Sequence, residues 1–323
     1  MIHRSCVLCY CQKFNRTDDV TSAGVIPGVM SVTDRFGATP DTDESFCKQI
    51  IRTHRGGEVP RFCVYKRIRR ARMGRLEITT HIGCPVDCLD CPQELLRSKY
   101  HGRRDLDLDD YKRVIDKVPA RTRIDFSGMC EPFTNKHCAD MILYAAEKGF
   151  PLALYTTLQG ATLEDYERLK GVRYEVVTIH LPDMDGRSYF NITDEYLELL
   201  DKWECHNYSC HGRIDPRVFP YIKQRNLITY MHDRAGSVEC RPHKTIDVNC
   251  RLRCITSDRA MDHNVLLPDG TVLMCCMDYG MTGVFGNLFE QSYDEVLNSD
   301  AARAMRETLN RGESICRHCA NAR

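Results

Sequence analysis

From Arg75 onward, strand-like and helix-like segments alternate, and this alternation narrows the folds open to the chain more than any other feature. The spacing predicts a strand at Arg75–Thr80, a helix at Asp109–Val118, a strand at Arg123–Ser127, a helix at Asn135–Lys148, a strand at Leu152–Thr156 and a helix at Leu163–Leu169. It continues with a strand at Tyr174–Leu181, a helix at Thr193–Trp203, strand-like Asn207–Arg213, a short helix around Pro216–Lys223 and a strand at Leu227–His232. Strands separated by helical crossovers form parallel sheets with right-handed connections, and ligands gather at the carboxyl ends of those strands. Six such units rather than eight predict an α/β fold built on a partial (β/α)6 TIM-like barrel, open on one side.

The flanks do not share the pattern. Residues 1–65 have no sustained periodicity and are interrupted by Gly24, Pro27, Gly28, Gly37, Pro40, Gly56, Gly57 and Pro60, with only Glu44–Arg52 helix-like. After Gly236 the chain becomes cysteine-rich, then hairpin-like at His263–Met274 around a Pro268-Asp269-Gly270 turn, then helical from Tyr293 to Leu309. The expected division is an irregular extension at 1–65, the barrel at 66–235 and a C-terminal appendage at 236–323.

Nineteen cysteines in 323 residues, an odd number without an export signal, argue against a disulfide framework and for metal or cluster ligation. The 45 basic and 45 acidic residues cancel, so no global charge recruits nucleic acid or an anionic membrane. No run approaches the roughly 18 apolar residues of a spanning helix, and Met1-Ile-His-Arg-Ser-Cys6 lacks a signal-peptide core. The expectation is a cytoplasmic protein with neither a nucleic-acid nor a membrane partner.

Cys84-Pro-Val-Asp-Cys88-Leu-Asp-Cys91, directly after the first strand, sets three soft ligands in a C-x3-C-x2-C loop. Three thiolates cap three irons of a cubane cluster and leave the fourth open. The second strand ends in Asp125-Phe-Ser-Gly128-Met-Cys130-Glu131-Pro132. Together these stretches resemble the radical S-adenosylmethionine superfamily, with Cys130 standing where the family's Gly-Gly-Glu-Pro segment has its second glycine and Asp90 where an aromatic residue is common. The resemblance implies that Cys84, Cys88 and Cys91 hold a 4Fe-4S cluster whose open iron chelates S-adenosylmethionine. Cleavage of the cofactor then gives a 5'-deoxyadenosyl radical that abstracts hydrogen from substrate. It also implies cofactor contacts from Ser127, Gly128, Cys130 and, at the amino group, Glu131. Residues at other strand ends, Thr156 with Thr157, His180, His211 and Arg213, are candidates to face cofactor or substrate; the alternative for each is a hydrogen-bonded rim residue.

Cys254-x15-Gly270-x4-Cys275 with Cys316-x2-Cys319 further on supplies four more thiolates, enough to close a site. The pattern resembles the SPASM and twitch appendages of the same superfamily, which implies one auxiliary 4Fe-4S cluster in a twitch/SPASM-like domain. Zinc is the competing occupant of a four-cysteine site, and Cys250 and Cys276 are neighbours able to replace Cys254 and Cys275. The N-terminal Cys6-x2-Cys9-x-Cys11 reads as reduced thiols rather than a third metal site, and Lys66–Arg72 as a solvated lead-in to the first strand.

The resemblance further implies an oxidoreductase acting on a hydroxylated small molecule, a sugar or cyclitol, by dehydrogenation, with flavodoxin or ferredoxin as electron donor. Epimerisation of the same substrate class is the alternative, with Cys210 or Cys240 as thiol hydrogen donor and an inert buried thiol as the plain reading of each. A peptide maturase is the third. Residues 1–65 lack the periodicity of a leader-peptide-binding winged helix, which counts against it.

Overall fold

The computed structural model describes residues 74–223, 226–229, 232–238, 244–256 and 261–323. The expectations for 1–65, Glu44–Arg52, Cys6, Cys9, Cys11, Lys66–Arg72 and Cys240 lie outside the described residues.

Six strands run parallel in one sheet: β1 (Arg75–Ile78), β2 (Arg123–Phe126), β3 (Leu152–Thr156), β4 (Val176–His180), β5 (Asn207–Ser209) and β6 (Leu227–Ile228). Three more strands belong to the C-terminal part: β7 (His263–Leu266), β8 (Thr271–Leu273) and β9 (Val284–Asn287). The sheet order is β6-β5-β4-β3-β2-β1-β7-β8-β9, so β7 adds in parallel to the free edge of β1, with Arg75 opposite His263 and Ile78 opposite Leu266. The sequence predicts the β7–β8 hairpin but not its seat. Covering β1 in this way removes an exposed edge next to the cysteine loop. The barrel is open, ending at β6 on one side and at the antiparallel β8–β9 pair on the other.

The period-two alternation of strand side chains sorts the barrel into an apolar outside and a polar inside. Leu76, Ile78, Ile124, Phe126, Leu152, Leu154, Val177, Ile179 and Tyr208 join the core beneath the helices. The intervening Glu77, Asp125, Tyr155, Thr178 and Ser209 turn toward a cavity. Buried charge on that inner face is paired: Arg123 donates to both carboxylate oxygens of Asp125 at 2.6 Å, as burial in low dielectric requires.

The helices are α1 (Gln93–Lys99), α2 (Leu108–Ile115), α3 (Cys138–Glu147), α4 (Leu163–Leu169), α5 (Asp194–Lys202), α6 (Tyr293–Leu297) and α7 (Asp300–Thr308). Among the described residues, five of these seven helices begin at a side-chain cap, α1 and α3 being the exceptions. Asp107 caps α2, Thr193 caps α5, and Thr162 with Asp165 forms a capping box on α4. The expected helix at Asn135–Lys148 starts late, at Cys138, because Pro132–Thr134 forms a separate 3-10 turn. The expected helix at Tyr293–Leu309 is two helices: Asn298 leaves helical geometry and Ser299 caps the second by accepting from Ala302 N at 3.1 Å. The segment expected as a helix at Pro216–Lys223 is 3-10 over Pro216–Tyr221, where Pro220 lacks a donor. The strands expected at Asn207–Arg213 and Leu227–His232 are shorter, Asn207–Ser209 and Leu227–Ile228. Among the described residues no helix is long and apolar enough to cross a membrane.

Candidate functional site

A cavity of about 470 Å³ opens at the carboxyl ends of the barrel strands, and Cys84, Cys88 and Cys91 line it. Their loop is pinned from outside by the segment after β4: Leu89 N donates to Arg187 O at 2.8 Å and Tyr189 N to Val86 O at 2.7 Å. Asp90, 3% exposed, receives the Arg187 guanidinium at 2.9 and 2.7 Å. The carboxylate at this position is therefore a fastening for the loop, a contact 97 residues apart that no local pattern announces.

The donor set fits an iron–sulfur cluster. Burial, with the charges of neighbouring thiols and Glu131 adding to it, pushes the Cys84 thiol up to about 12. Burial pushes the Cys88 thiol higher still. Neutral thiols gathered this way are poor thiolates by themselves, and a bound cation reverses the balance. Beside them His180 donates to or accepts from Ser209 Oγ at 3.0 Å through Nδ1, while its Nε2 is buried without a partner among the described residues. Burial and the nearby His211, ring to ring at 4.3 Å, hold the His180 imidazole down to about 3, so it is neutral at pH 7.

Ser127, Gly128, Cys130, Glu131 and Thr156 also line the cavity. Gly128 has φ +60°, and a Cβ there would stand 2.7 Å from Thr79 N, so only glycine lets β2 turn against β1 at this point. Glu131 is 2% exposed and accepts from Phe133 N (3.2 Å), Thr156 Oγ1 (2.7 Å), Thr157 N (2.5 Å) and Thr157 Oγ1 (2.6 Å). Four donors fill the acceptor capacity of a carboxylate. Glu131 thus fixes the β2 and β3 ends to each other and offers a ligand its charge at the cavity wall. Ser127 likewise spends its hydroxyl within the protein, on Glu77 Oε2 at 2.9 Å.

Two sequence-derived candidates do not reach the cavity. Arg213 points outward and is held by Asp185 at 2.6 Å, its side chain 60% exposed. Cys210 is buried with its thiol directed at Gly212 O, 3.2 Å away. Both lie past Ser209, where β5 stops, so the inward alternation no longer applies. His211 does line the cavity, 4.0 Å from Asp90.

The second cysteine set opens on the same chamber: Cys254, Cys275, Cys316 and Cys319 all line it. Gly270 turns the β7–β8 hairpin at φ +87°, where a Cβ would stand 2.6 Å from Phe289 Cγ. Arg317, 1% exposed, ties the end of the chain together by donating to Asp247 O (2.7 Å), Cys250 O (2.6 Å), Thr308 O (3.0 Å) and Gly312 O (2.9 Å). Of the two alternative ligands, Cys250 is exposed and does not line the cavity, whereas Cys276 lines it and lies with Glu77 and His263 in a group whose ligand atoms are within 4.8 Å of one another.

Glu77 and His263 have no signal in the sequence, because the pair forms only when β7 docks on β1. Burial alone would raise the Glu77 carboxyl, but the His263 imidazole 2.5 Å away more than offsets it and carries the carboxyl from 4.5 down to about 2. Stability from Glu77 is thus fully present above pH 4.5 and lost as pH falls through about 2, the shift corresponding to about 3 kcal/mol. His263, raised above 6.5 by the same partner despite burial, adds stability below pH 6.5 that is lost as pH rises through its folded value. Glu77→Gln is expected to lower the melting temperature at pH 6 and to flatten its fall between pH 4.5 and 2; circular-dichroism melts across that range check it.

The comparisons agree with this architecture. Residues 254–320 match the SPASM family, an iron-sulfur cluster-binding domain. The fold is similar to that of BtrN in complex with AdoMet and 2-DOIA, with a TM-score of 0.55 and 18% identity, covering 77% of this chain and 93% of that one. Lower similarity is found to anSMEcpe with bound AdoMet (TM-score 0.48, 14% identity, 76% and 86% covered). It is also found to Streptococcus suis SuiB bound to precursor peptide SuiA (TM-score 0.46, 13% identity, 85% and 82% covered). No curated protein matches the chain. Residues 254–320 thus match an iron–sulfur cluster-binding domain of the SPASM family, and they are carried on an open barrel whose fold is similar to that of BtrN.

Proposed function

We propose that the chain is a radical S-adenosylmethionine oxidoreductase that dehydrogenates a hydroxylated small molecule such as a sugar or cyclitol. In this reading Cys84, Cys88 and Cys91 hold the cofactor-binding 4Fe-4S cluster, Cys254, Cys275, Cys316 and Cys319 hold the auxiliary 4Fe-4S cluster, and the barrel (66–235) and cysteine-rich (236–323) parts act on one chamber. When bound, the first cluster supplies reductive cleavage of S-adenosylmethionine to methionine and 5'-deoxyadenosine, and with it abstraction of a hydrogen atom.

The observation that carries the substrate class is the polar inner face of the barrel. Glu77, Asp125, Tyr155, Thr178, Ser209 and His263 line the cavity from six different strands. Glu77, Asp125 and Ser209 are already satisfied by protein partners, whereas Thr178 Oγ1 and His180 Nε2 are buried without a partner among the described residues; a small ligand bearing several hydroxyl groups can pair them, and an apolar one would leave them unpaired. His180, neutral at pH 7, and the Glu131 carboxylate stand at the rim next to the cysteine loop, in reach of the polar end of a cofactor. Burial of Cys210 away from the chamber favours dehydrogenation over a thiol-quenched epimerisation through that residue.

The test is a panel of sugars and aminocyclitols incubated with the reconstituted protein, S-adenosylmethionine and a flavodoxin or ferredoxin reducing system. The expected product is two hydrogens lighter than its substrate, formed in proportion to 5'-deoxyadenosine and free of solvent deuterium at carbon. A product of unchanged mass carrying one deuterium from deuterated buffer would replace dehydrogenation with epimerisation.

A further inference from the structure

Tyr279 is a tyrosine where packing alone asks for phenylalanine. Its ring is 1% exposed, in an apolar cluster with Ile82, Leu96, Met129, Leu267 and Leu273 at the junction of barrel and hairpin. A buried phenol needs a partner, and the partner is a sulfur: Tyr279 Oη lies 3.5 Å from Cys91 Sγ. The side chain is placed by its neighbour Asp278, whose carboxylate accepts from Thr282 N and Thr282 Oγ1 at 2.9 Å and Gly283 N at 2.7 Å, fixing the loop after Cys275 and Cys276. Over the other side of the ring stands the Arg234 guanidinium, 5.5 Å from the centroid. Arg234 is held in a left-handed backbone conformation, φ 47°, and its Nε is buried without a partner among the described residues. A second, longer donor, Gln93 Nε2 at 3.7 Å, reaches the same sulfur.

We infer that Tyr279, a residue of the C-terminal iron–sulfur domain, is a positioning and tuning residue that sets the reduction potential of the first cluster through a hydrogen bond to the Cys91 thiolate. The inference rests on the reading of Cys84, Cys88 and Cys91 as a cluster seat. A ligating cysteine is deprotonated, so in the loaded protein the phenol donates and the sulfur accepts. Donors to cluster sulfurs and nearby positive charge favour the reduced, more negative state and raise the potential. Arg234 on the ring face draws density from the phenol and strengthens the donor. Docking of the C-terminal domain and reducibility of the first cluster are in this way one event: the domain brings the donor with it.

The experiment is an EPR-monitored redox titration of the reconstituted full chain, using the change on adding S-adenosylmethionine to mark the first cluster. Tyr279→Phe keeps the ring and removes the donor. Its expected midpoint is lower by about 59 mV, equivalent to a tenfold fall in the ratio of reduced to oxidised cluster at a fixed poise for one electron. Iron content and the auxiliary midpoint stay as in the parent. Leu267→Ala, which loosens the same apolar cluster without touching the sulfur, is expected to lower the melting temperature and leave the midpoint in place. An unchanged midpoint in Tyr279→Phe, or loss of iron or of folded protein in that variant, overturns the inference in favour of a packing role. Failure of the parent protein to give any signal responsive to S-adenosylmethionine would instead remove the cluster assignment on which it rests.

Discussion

Cys88→Ala is expected to abolish formation of 5'-deoxyadenosine by the dithionite-reduced, iron-loaded protein. In the proposed reading Cys88 is the middle ligand of the three, and its removal leaves two thiols, Cys84 and Cys91, for a cluster that needs three to expose one open iron. The loss should be complete, and it should leave the fold intact. Cys88 is half-buried in a loop outside the barrel strands, and the loop keeps its backbone bonds to Arg187 and Tyr189 and its Asp90–Arg187 ion pair. The apo forms of variant and parent are therefore expected to melt within a few degrees of each other, which separates loss of the cofactor site from unfolding. Persistent cleavage in Cys88→Ala would remove the central claim.

Cys275→Ala is expected to separate the two halves of the chemistry. Burial, with Cys276 and Cys316 next to it, raises the Cys275 thiol well above its ordinary value, so in the apo protein it is a neutral buried group. In the proposed reading, replacing it leaves three auxiliary ligands, and iron content is expected to fall from about eight to about four per chain. S-adenosylmethionine cleavage is expected to continue in the presence of reductant, while net oxidation of substrate stops because the electron left after hydrogen abstraction has no acceptor. A variant that keeps about eight irons and full oxidation would show that Cys276 takes the place of Cys275. Because Arg317 holds the surrounding backbone through four carbonyls independently of any cysteine thiol, the domain's outline should survive the change.

Both predictions draw on features of different legibility. The strand positions from Arg75 to His180 come from runs in which apolar residues recur at every second place, and β1 to β4 fall within the expected segments. Helix starts at Leu108, Leu163 and Asp194 are marked by Asp107, Thr162 and Thr193, whose side chains cap locally and so leave a trace in the sequence. Helix α1 leaves none: it begins two residues after Cys91 with Pro92 in the cap position and no side-chain cap bond, so neither a polar cap nor a long apolar period announces it. The break between α6 and α7 is hidden because Asn298-Ser299 sits inside a helical period that continues on both sides.

The sequence by itself determined the parts whose information is local. Spacing within eight residues places Cys84, Cys88 and Cys91 on one loop, alternation within single strands makes the barrel interior polar, and Gly270 with Cys275 marks a hairpin that brings a thiol beside it. Tertiary structure alone decided which distant groups meet. Docking of β7 on β1 creates the Glu77–His263 pair, the loop after β4 supplies Arg187 to Asp90, and the C-terminal domain delivers Tyr279 to Cys91 across 188 residues. It also turned Arg213 and Cys210 away from the chamber where β5 ends. Such contacts are selected by the packing of whole elements, whose closure cost grows only slowly with the length of chain between them, and so they carry no signature in the residues on either side.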